Sequence, residues 1–540
     1  MTSASCGMPP SPPRPFDGEI SLLKDQIEQF VEAHLPREPT VPKTTKVVHD
    51  GLWGTISLSP AEMAFIDTPL VQRLRSIAQT GPSYFVYPST RHSRFEHSLG
   101  VMLQVQRLAD ALWQDDSGKK LLNKEDVAQM RFGALFHDVG HGPFSHTSEA
   151  IYGTHSALKA LREDVYGNFG SPHEILSRLI IESNSFKHFA DKVAEKACIP
   201  KLEIELIARA ITGEQPRSPE KKFVSELLNG PFDADKLDYF FRDSHFSGIP
   251  LAVDVERLLR TVRIVSVDRE GGAERLVVSH GGAGTLEQIL FAKIVLHTSV
   301  YQHHKIRSFD CLFHGIIEYI QKHKEHTGIP VPLRDRSLTF ESPVDYLWTT
   351  DETFRHYGFL LDENDSSGSI DGPLHRMVHG LYFRRPLVRA LVICEHTVEK
   401  NEKSTGWKDL LRLDSKYEIL DQQRRRKIAE EIRLRANVDC LPEEVWLDLP
   451  ALPNSTAAND IYVAMPGHKK SDADLLTLNE LFPLEMWVGQ YGQNKWRGHV
   501  FCPREVVEPI GRAAKSYFEE KYGVKIKREA FDWCKQAPPI

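Results

Sequence analysis

Apolar residues recur every three or four positions through most of the stretch from 94 to 324, a spacing that suits one face of an α-helix. The clearest segments are 94–113, 123–138, 171–183, 201–212, 233–244 and 286–324. Such a run predicts a mainly helical core. Two short interruptions read as hairpins. KVVHDGLWGTISLSP (46–60) turns on a glycine-containing loop, and VRIVSVD pairs with ERLVVSH across Glu270-Gly271-Gly272. The segment 61–81 reads as a helix broken near Pro69. Ahead of this core, residues 1–45 read as a Ser/Pro-rich flexible tail, a helix with Ile20, Leu23, Ile27 and Phe30 in register, and a proline-rich linker. Beyond 325 the pattern changes to a mixed α+β lobe, with strands expected in LFPLEMWVGQY (481–491) and RGHVFCP (497–503) and a helix over 503–522. The division expected is therefore 1–45, 46–325 and 326–540.

Composition narrows the functional classes. A chain of 540 residues with 41% hydrophobic and 26% charged content can bury a sizeable core. No apolar run approaches the ~18 residues of a spanning helix, so no membrane partner is expected. The start has no basic region followed by an apolar stretch, so no secretory leader is expected. Seven scattered cysteines without a C-x-x-C pair fit a reducing, cytoplasmic setting. The formal net charge of -7 argues against coating nucleic acid by bulk charge and leaves nucleic acid a secondary partner at most. The basic run 421–435 alternates with acids at helical spacing. It reads either as a solvated helix face or as an anion patch.

Chemistry concentrates in a few short stretches. In RHSRFEHSLG (91–100), His97 lies in register with Val101, Val105, Leu108 and Leu112, which points it inward. Alone it reads as a satisfied core histidine as readily as a ligand. In ALFHDVGHGPFSH (134–146), His137 and Asp138 follow an apolar run, and Gly140 and Gly142-Pro143 close the helix. A carboxylate there needs a cation or donor. His and Asp together make a mixed nitrogen and oxygen site suited to a first-row divalent metal. In DADKLDYFFRD (233–243), Asp235, Lys236, Tyr239 and Asp243 share one helical arc of about 100°. In KIVLHTSVYQHHK (293–305), Lys293, His297, Tyr301 and His304 follow one another by three or four residues. These stripes read as solvent faces or as walls of an anion pocket.

The order His97, His137-Asp138, Asp235 resembles the HD superfamily of metal-dependent phosphohydrolases. FIDTPLVQRLRSIAQTG, SRFEHSLGV, HDVGHGPFSH, DADKLDYFFRDS and VYQH together resemble the deoxynucleoside-triphosphate triphosphohydrolases, both bacterial dGTPase-like enzymes and the vertebrate sterile-alpha-motif/HD enzyme. No sterile-alpha-motif segment is expected in this chain. The resemblance is strong over 46–325 and weaker over 480–535. It implies an HD-domain helical core with a small β-hairpin.

What the resemblance implies is specific. His97, His137, Asp138 and Asp235 would hold a divalent metal: Mg, Mn, Fe or Zn. His141, His146 and His173, with Glu149, would be catalytic. Arg94, Lys236 and Tyr239 would meet the triphosphate, joined by Lys293, and Gln79 and Asp243 the sugar 3′-hydroxyl. His297 and Tyr301 would wall off a 2′-hydroxyl. Lys46, Val47, Asp67, Gln72 and Arg75 match a first activator site, and Val86, Tyr87, Arg257 and Arg385 loosely match a second. A dNTP substrate, a dNTP or GTP activator and a homotetramer follow as expectations. Asp67 and Arg75 also read as an ordinary surface salt bridge. Four positions depart from the family pattern: Glu149 stands for Asp, Lys293 for Arg, Thr80 for Leu and His49 for Asn. The expected reaction releases a deoxynucleoside and inorganic triphosphate, with phage defence or pool balancing as settings. Two rivals remain at this point. One is an HD phosphodiesterase acting on a signalling nucleotide or single-stranded nucleic acid, and the other is a catalytically silent nucleotide sensor.

Overall fold

A computed structural model describes residues 16–214, 221–325, 327–329, 337–364, 372–399, 418–450, 460–466, 475–483, 486–487 and 494–534. Helices dominate, and the strands fall into small separate sheets. Local chemistry sets where the helices begin. Ser93 and Glu96 form a capping box that starts the Arg94–Leu112 helix, and Asn123 and Asp126 start Lys124–Phe136 in the same way. Asp233 accepts the Lys236 N–H and opens the Ala234–Ser247 helix, which ends at Gly248 in the left-handed region (φ 72°). The break near Pro69 is present: Pro60–Ile66 is followed by Pro69–Gln72 and a tight turn at Arg73–Ser76. The N-terminal helix, Asp17–His34, buries Leu23, Ile27, Phe30 and Val31 in the main core. Asn184–Ala197 is a helix the periodicity left unmarked.

Both expected hairpins form, Lys46–Asp50 with Gly54–Leu58 and Val262–Val267 with Ala273–Ser279. The second turns on Gly271 and Gly272, both with positive φ. It is extended by Tyr462–Ala464, parallel to Ala273–Ser279, and then by Leu475–Thr477, giving a four-stranded sheet. Gly498–Cys502 is the middle strand of a three-stranded sheet between Val388–Ile393 and Trp446–Asp448, and Val507–Tyr522 is the helix expected there.

Two expectations are corrected. The segment 286–324 is not one helix. Ala283–Leu296 runs into a wide π-turn at His297–Tyr301, and a second helix, His304–Lys322, starts afresh. LFPLEMWVGQY is not a strand among its described residues: Leu481 ends the Leu478–Leu481 helix, and Met486 and Trp487 are helical. Two arginines of 421–435 are spent internally. Arg425 donates to the Leu449 carbonyl and Arg426 to those of Val445 and Pro442, which favours a structural role over an anion patch.

The larger core centres on aromatic rings. Phe65, 1% exposed, packs against Phe132, Phe136, Phe186 and Phe189 with ring centroids 5.0–5.7 Å apart. A smaller core gathers residues from Ala390 to Ala530 around the three-stranded sheet. Truncating Phe65 to Ala removes the ring that joins three helices. The unfolding free energy should fall by about 3–5 kcal/mol, measured by urea denaturation.

Candidate metal and hydrolytic site

Three helices deliver the proposed ligands. His97 comes from Arg94–Leu112, Asp235 from the first turn of Ala234–Ser247, and His137 and Asp138 from the end of Lys124–Phe136. His97 Nε2 lies 3.3 Å from His137 Nε2, 2.9 Å from Asp235 Oδ1 and 3.7 Å from Asp138 Oδ2. His137 Nε2 is 3.4 Å from Asp138 Oδ1 and 3.8 Å from Asp235 Oδ1. Donors this close, two imidazoles and two carboxylates, could surround one divalent ion at ~2.0–2.2 Å each.

The outer partners fix the ring orientations. His137 Nδ1 donates to the Ala134 carbonyl (2.7 Å) and His97 Nδ1 to Asp238 Oδ2 (2.8 Å), so both Nε2 atoms face the centre. Asp238 in turn accepts from Arg242 (2.7 and 2.9 Å) and from Trp53 Nε1 (2.6 Å), and Arg242 also reaches Asp50 (3.0 Å). A Cβ on Gly100 would run into the Asp238 carboxylate, so only glycine lets this carboxylate reach His97. Burial alone would depress the His97 imidazolium, but Asp235 and Asp238 hold it up to about 10. Burial likewise opposes ionisation of Asp138, and Arg94, His137 and His141 outweigh it, keeping the carboxylate charged.

A second histidine group adjoins the first. His141, His146 and His173 bring ring nitrogens within 4.8 Å of one another. His141 stacks on His173 (3.9 Å between centroids) and its Nε2 lies 3.4 Å from Asp138 Oδ1. Glu149 bridges the other two, with Oε2 on His146 Nδ1 (2.5 Å) and Oε1 on His173 Nδ1 (2.8 Å). The two histidines overcome burial and hold Glu149 well below the usual carboxylate range. Glu149 in turn outweighs the burial of His173 and raises it to about 9. Burial, with Arg94 and His173 nearby, pushes His141 down, and neither of its ring nitrogens has a hydrogen-bond partner among the described residues. His146 is exposed.

The remaining site residues are placed as follows. Arg94 donates to Asp138 (2.8 Å), to Ser145 Oγ (2.9 Å) and to the Gln79 carbonyl (3.3 Å). Gln79 is buried with its side-chain oxygen unpartnered among the described residues. Lys236 donates to Asp233 (2.5 Å) and to the Gly230 carbonyl (2.8 Å). Tyr239 is half-buried, and burial, with Asp235, Asp233 and Asp243 nearby, raises its hydroxyl. Burial and the adjacent Lys236 lower Lys293. Burial and Lys293 lower His297 to about 4, and its Nδ1 is unpartnered among the described residues. The Tyr301 hydroxyl donates to Asp243, whose other oxygen meets His92 Nε2 (2.8 Å).

The expected activator residues lie at the surface. Lys46, Val47, Asp67, Arg75, Arg257 and Arg385 are exposed, and Gln72, Val86 and Tyr87 are half-buried. Arg75 donates to Gln72 (2.7 Å) and lies over the Phe95 ring, so its hydrogen bond goes to an amide and not to Asp67. The Tyr87 hydroxyl donates to the Ser299 carbonyl (2.7 Å), inside the turn that carries His297 and Tyr301. Arg257 donates to the Gly281 carbonyl (2.8 Å), and Arg384, next to Arg385, to that of Phe85 (2.8 Å).

Sequence reasoning missed Asp238, Arg242, Trp53 and His92. One signal was available: Asp238 and Arg242 stand four apart on one helix, the spacing of an ion pair.

The HD domain family matches residues 94–239, and the HD associated region matches residues 253–329. The chain is 32% identical over 360 residues to the deoxynucleoside triphosphate triphosphohydrolase SAMHD1 of Homo sapiens, covering 64% of this chain and 54% of that protein. It is 30% identical over 342 residues to the Bos taurus protein of the same name, covering 60% of this chain and 56% of the relative. It is also 28% identical over 333 residues to the uncharacterized protein YwfO of Bacillus subtilis, covering 59% of this chain and 66% of the relative. The chain thus spans about half the length of the mammalian relatives it matches.

Asp238→Ala should strip the support from His97 and leave Arg242 with one fewer buried partner. Metal affinity should drop about 10- to 100-fold, measured by metal titration. Stability should fall by about 3–5 kcal/mol, measured by denaturation in the metal-free state.

Proposed function

We propose that this HD-domain protein hydrolyses deoxynucleoside triphosphates at one divalent metal, releasing a deoxynucleoside and intact inorganic triphosphate. The observation that carries the reading is the joining of the His97, His137, Asp138 and Asp235 donors to the His141, His146 and His173 group, beside the Asp243–Tyr301 pair. When bound, the metal supplies Lewis-acid polarisation of a phosphoryl oxygen.

The chain's own residues do the rest. Lys236 and Lys293 place two cations beside each other, and a triphosphate would relieve their mutual repulsion. The bond between the α-phosphorus and the 5′-oxygen breaks as water attacks phosphorus, and the leaving oxygen takes a proton. In this reading His146 gives it. What supports this is that His146 is exposed and its Nδ1 is committed to Glu149, which leaves Nε2 as the nitrogen to serve a substrate. On the same reading Asp243, with Gln79, holds the sugar 3′-hydroxyl, and Tyr301, with His297, forms the wall beside the sugar. Tyr301 would exclude a 2′-hydroxyl, and Thr80 would soften that exclusion. His297, kept neutral by burial and Lys293, presents a hydrogen-bonding ring to base or sugar.

A nucleotide-activated homotetramer belongs to the same reading. The support is the exposed set Lys46, Val47, Asp67 and Arg75, and the Tyr87–Ser299 bond that ties the second proposed effector region to the substrate wall. An effector that binds only the oligomer would favour assembly by mass action. Among the described residues no helix is long and apolar enough to cross a membrane. A cytoplasmic enzyme that depletes dNTPs against phage, or balances the pool, is the setting proposed.

Chromatography of each dNTP incubated with protein and a divalent metal should show deoxynucleoside and triphosphate in equal amounts. Monophosphate and pyrophosphate as first products would sink the reading. His146→Ala should lower kcat by about 10²- to 10⁴-fold with metal binding intact.

Tyr301→Ala should raise the ratio of ribonucleotide to deoxyribonucleotide turnover, read in competition assays. Asp67→Ala should abolish acceleration by a second nucleotide, a coupling of ~1–3 kcal/mol. Its metal content should be unchanged, and light scattering beside the activity titration should show the shift to tetramer lost.

A further inference from the structure

We infer that Asp351, which lies outside both matched family regions, is a positioning residue for the reaction. Its carboxylate clamps the two backbone segments that carry Gln79 and His146. The inference rests on the function proposed above for those segments, but the clamp itself is a feature of the structure.

Asp351 begins the Asp351–Asn364 helix and is 8% exposed. Its Oδ2 accepts the Ala78 N–H (3.0 Å) and its Oδ1 accepts the Phe144 N–H (2.6 Å). Gln79 follows Ala78, and Ser145 and His146 follow Phe144. One carboxylate therefore sets the backbone immediately before a proposed sugar contact and, two residues on, the proposed proton donor.

The Phe144 side of the clamp needs holding. Phe144 and Ser145 both sit in the left-handed region, at φ 54° and 52°, without being glycine. Each such residue costs about 1–3 kcal/mol and persists only where its surroundings over-determine it. The surroundings do so here. Asp351 grips the Phe144 N–H. Ser145 Oγ donates to the Ala78 carbonyl (2.6 Å) and accepts from Arg94 Nε (2.9 Å). Ala78 is thus held at both ends, its N–H by Asp351 and its carbonyl by Ser145. The chain of contacts ends on Asp138, because the guanidinium that Ser145 orients is the one that pairs with Asp138 (2.8 Å).

The chemistry explains why the residue is an aspartate. Two separate N–H donors converge and need two acceptor oxygens. An asparagine offers one oxygen and turns an NH₂ donor toward the other N–H. Burial raises the Asp351 carboxyl to about 7, so the position is held against a desolvation cost that an apolar side chain would avoid. The clamp is itself anchored, since the Tyr382 hydroxyl donates to the Asp351 backbone carbonyl (2.7 Å).

The experiment compares the full-length protein with D351N, Y382F and E352Q, the last a control at the exposed neighbour. Three quantities are read: metal content, dNTP kinetics, and amide hydrogen exchange of peptides containing Ala78 and Phe144. For D351N, kcat should fall about 10- to 100-fold, the cost of a small misplacement of reacting groups. KM should stay within about twofold, the signature of an interaction that matters in the transition state. Metal content should not change. Exchange at the two peptides should rise about tenfold or more while the Arg94–Leu112 peptides stay protected. Y382F should give the same pattern, weaker, and keeps the inference testable should D351N fold poorly. E352Q should match the parent. The inference is overturned if exchange at the two peptides is unchanged in both variants. It is also overturned if kcat, metal content and global protection fall together, which marks a merely structural role. If the parent protein turns over no dNTP at all, the functional reading fails, and the exchange arm alone still decides whether Asp351 clamps these segments.

Discussion

The buried ion pair between Arg94 and Asp138 is the interaction the site depends on. Asp138 is 1% exposed and Arg94 3% exposed, so neither charge can turn to water. A buried pair of this kind gains little over an apolar replacement, but removing one partner strands the other at a cost of about 3–5 kcal/mol. Its value here is placement. The same guanidinium touches Asp138, Ser145 and Gln79, and so joins the proposed metal-ligand carboxylate, the strained turn before His146 and the proposed sugar contact in one unit. Placing Arg94 in the first turn of a helix capped by Ser93 makes that unit a consequence of where the helix starts.

The segments beyond the HD core reinforce it from behind. Arg307 on the His304–Lys322 helix pairs with Asp448 (2.5 and 3.2 Å) in the strand Trp446–Asp448, and with Asp310 (3.2 Å). Asp310 accepts from the Thr147 hydroxyl (2.7 Å), and His314 Nε2 donates to the Thr147 carbonyl (2.9 Å). Thr147 is the residue after His146. The His304–Lys322 helix therefore holds Thr147 by both its side chain and its carbonyl, and Asp448 ties that helix to the strand Trp446–Asp448.

How much of this was legible in the sequence depends on the range of the information. Local signals place the helix boundaries near which His97, His137, Asp138 and Asp235 sit, but it was the resemblance to a family, not those signals, that suggested reading the four together as ligands. The hairpins were readable from local signals, with Gly271 and Gly272 marking a turn. The break at His297–Tyr301 was not, because nothing local forbids a helix there. The wide turn is paired with two distant contacts, Tyr301 on Asp243 and Tyr87 on the Ser299 carbonyl. Asp238 and Asp351 were hidden in a similar way. Their meaning comes from partners 141 and 207–273 residues away along the chain. Parallel pairing of Tyr462–Ala464 with Ala273–Ser279 is a third case, since a three-residue strand carries no periodicity that names its neighbour.

Glu149 shows a departure from a family pattern becoming intelligible once geometry is known. Read from sequence, the extra methylene relative to Asp lengthens a relay to one histidine. In the structure the carboxylate is shared: one oxygen serves His146, the other serves His173, and the latter also accepts the His173 backbone N–H (3.3 Å). A carboxylate set one carbon further from the backbone can sit between two imidazoles on different helices, His146 opening His146–Tyr152 and His173 in the first turn of Pro172–Glu182. Sharing has an electrostatic consequence. Glu149 is held well below the usual carboxylate range by the two rings and in turn raises His173 against its burial. His173 is buried and His146 is exposed, so solvent reaches this group from the His146 side. The longer side chain thus joins a buried imidazole, His173, to an exposed one, His146, through a single carboxylate.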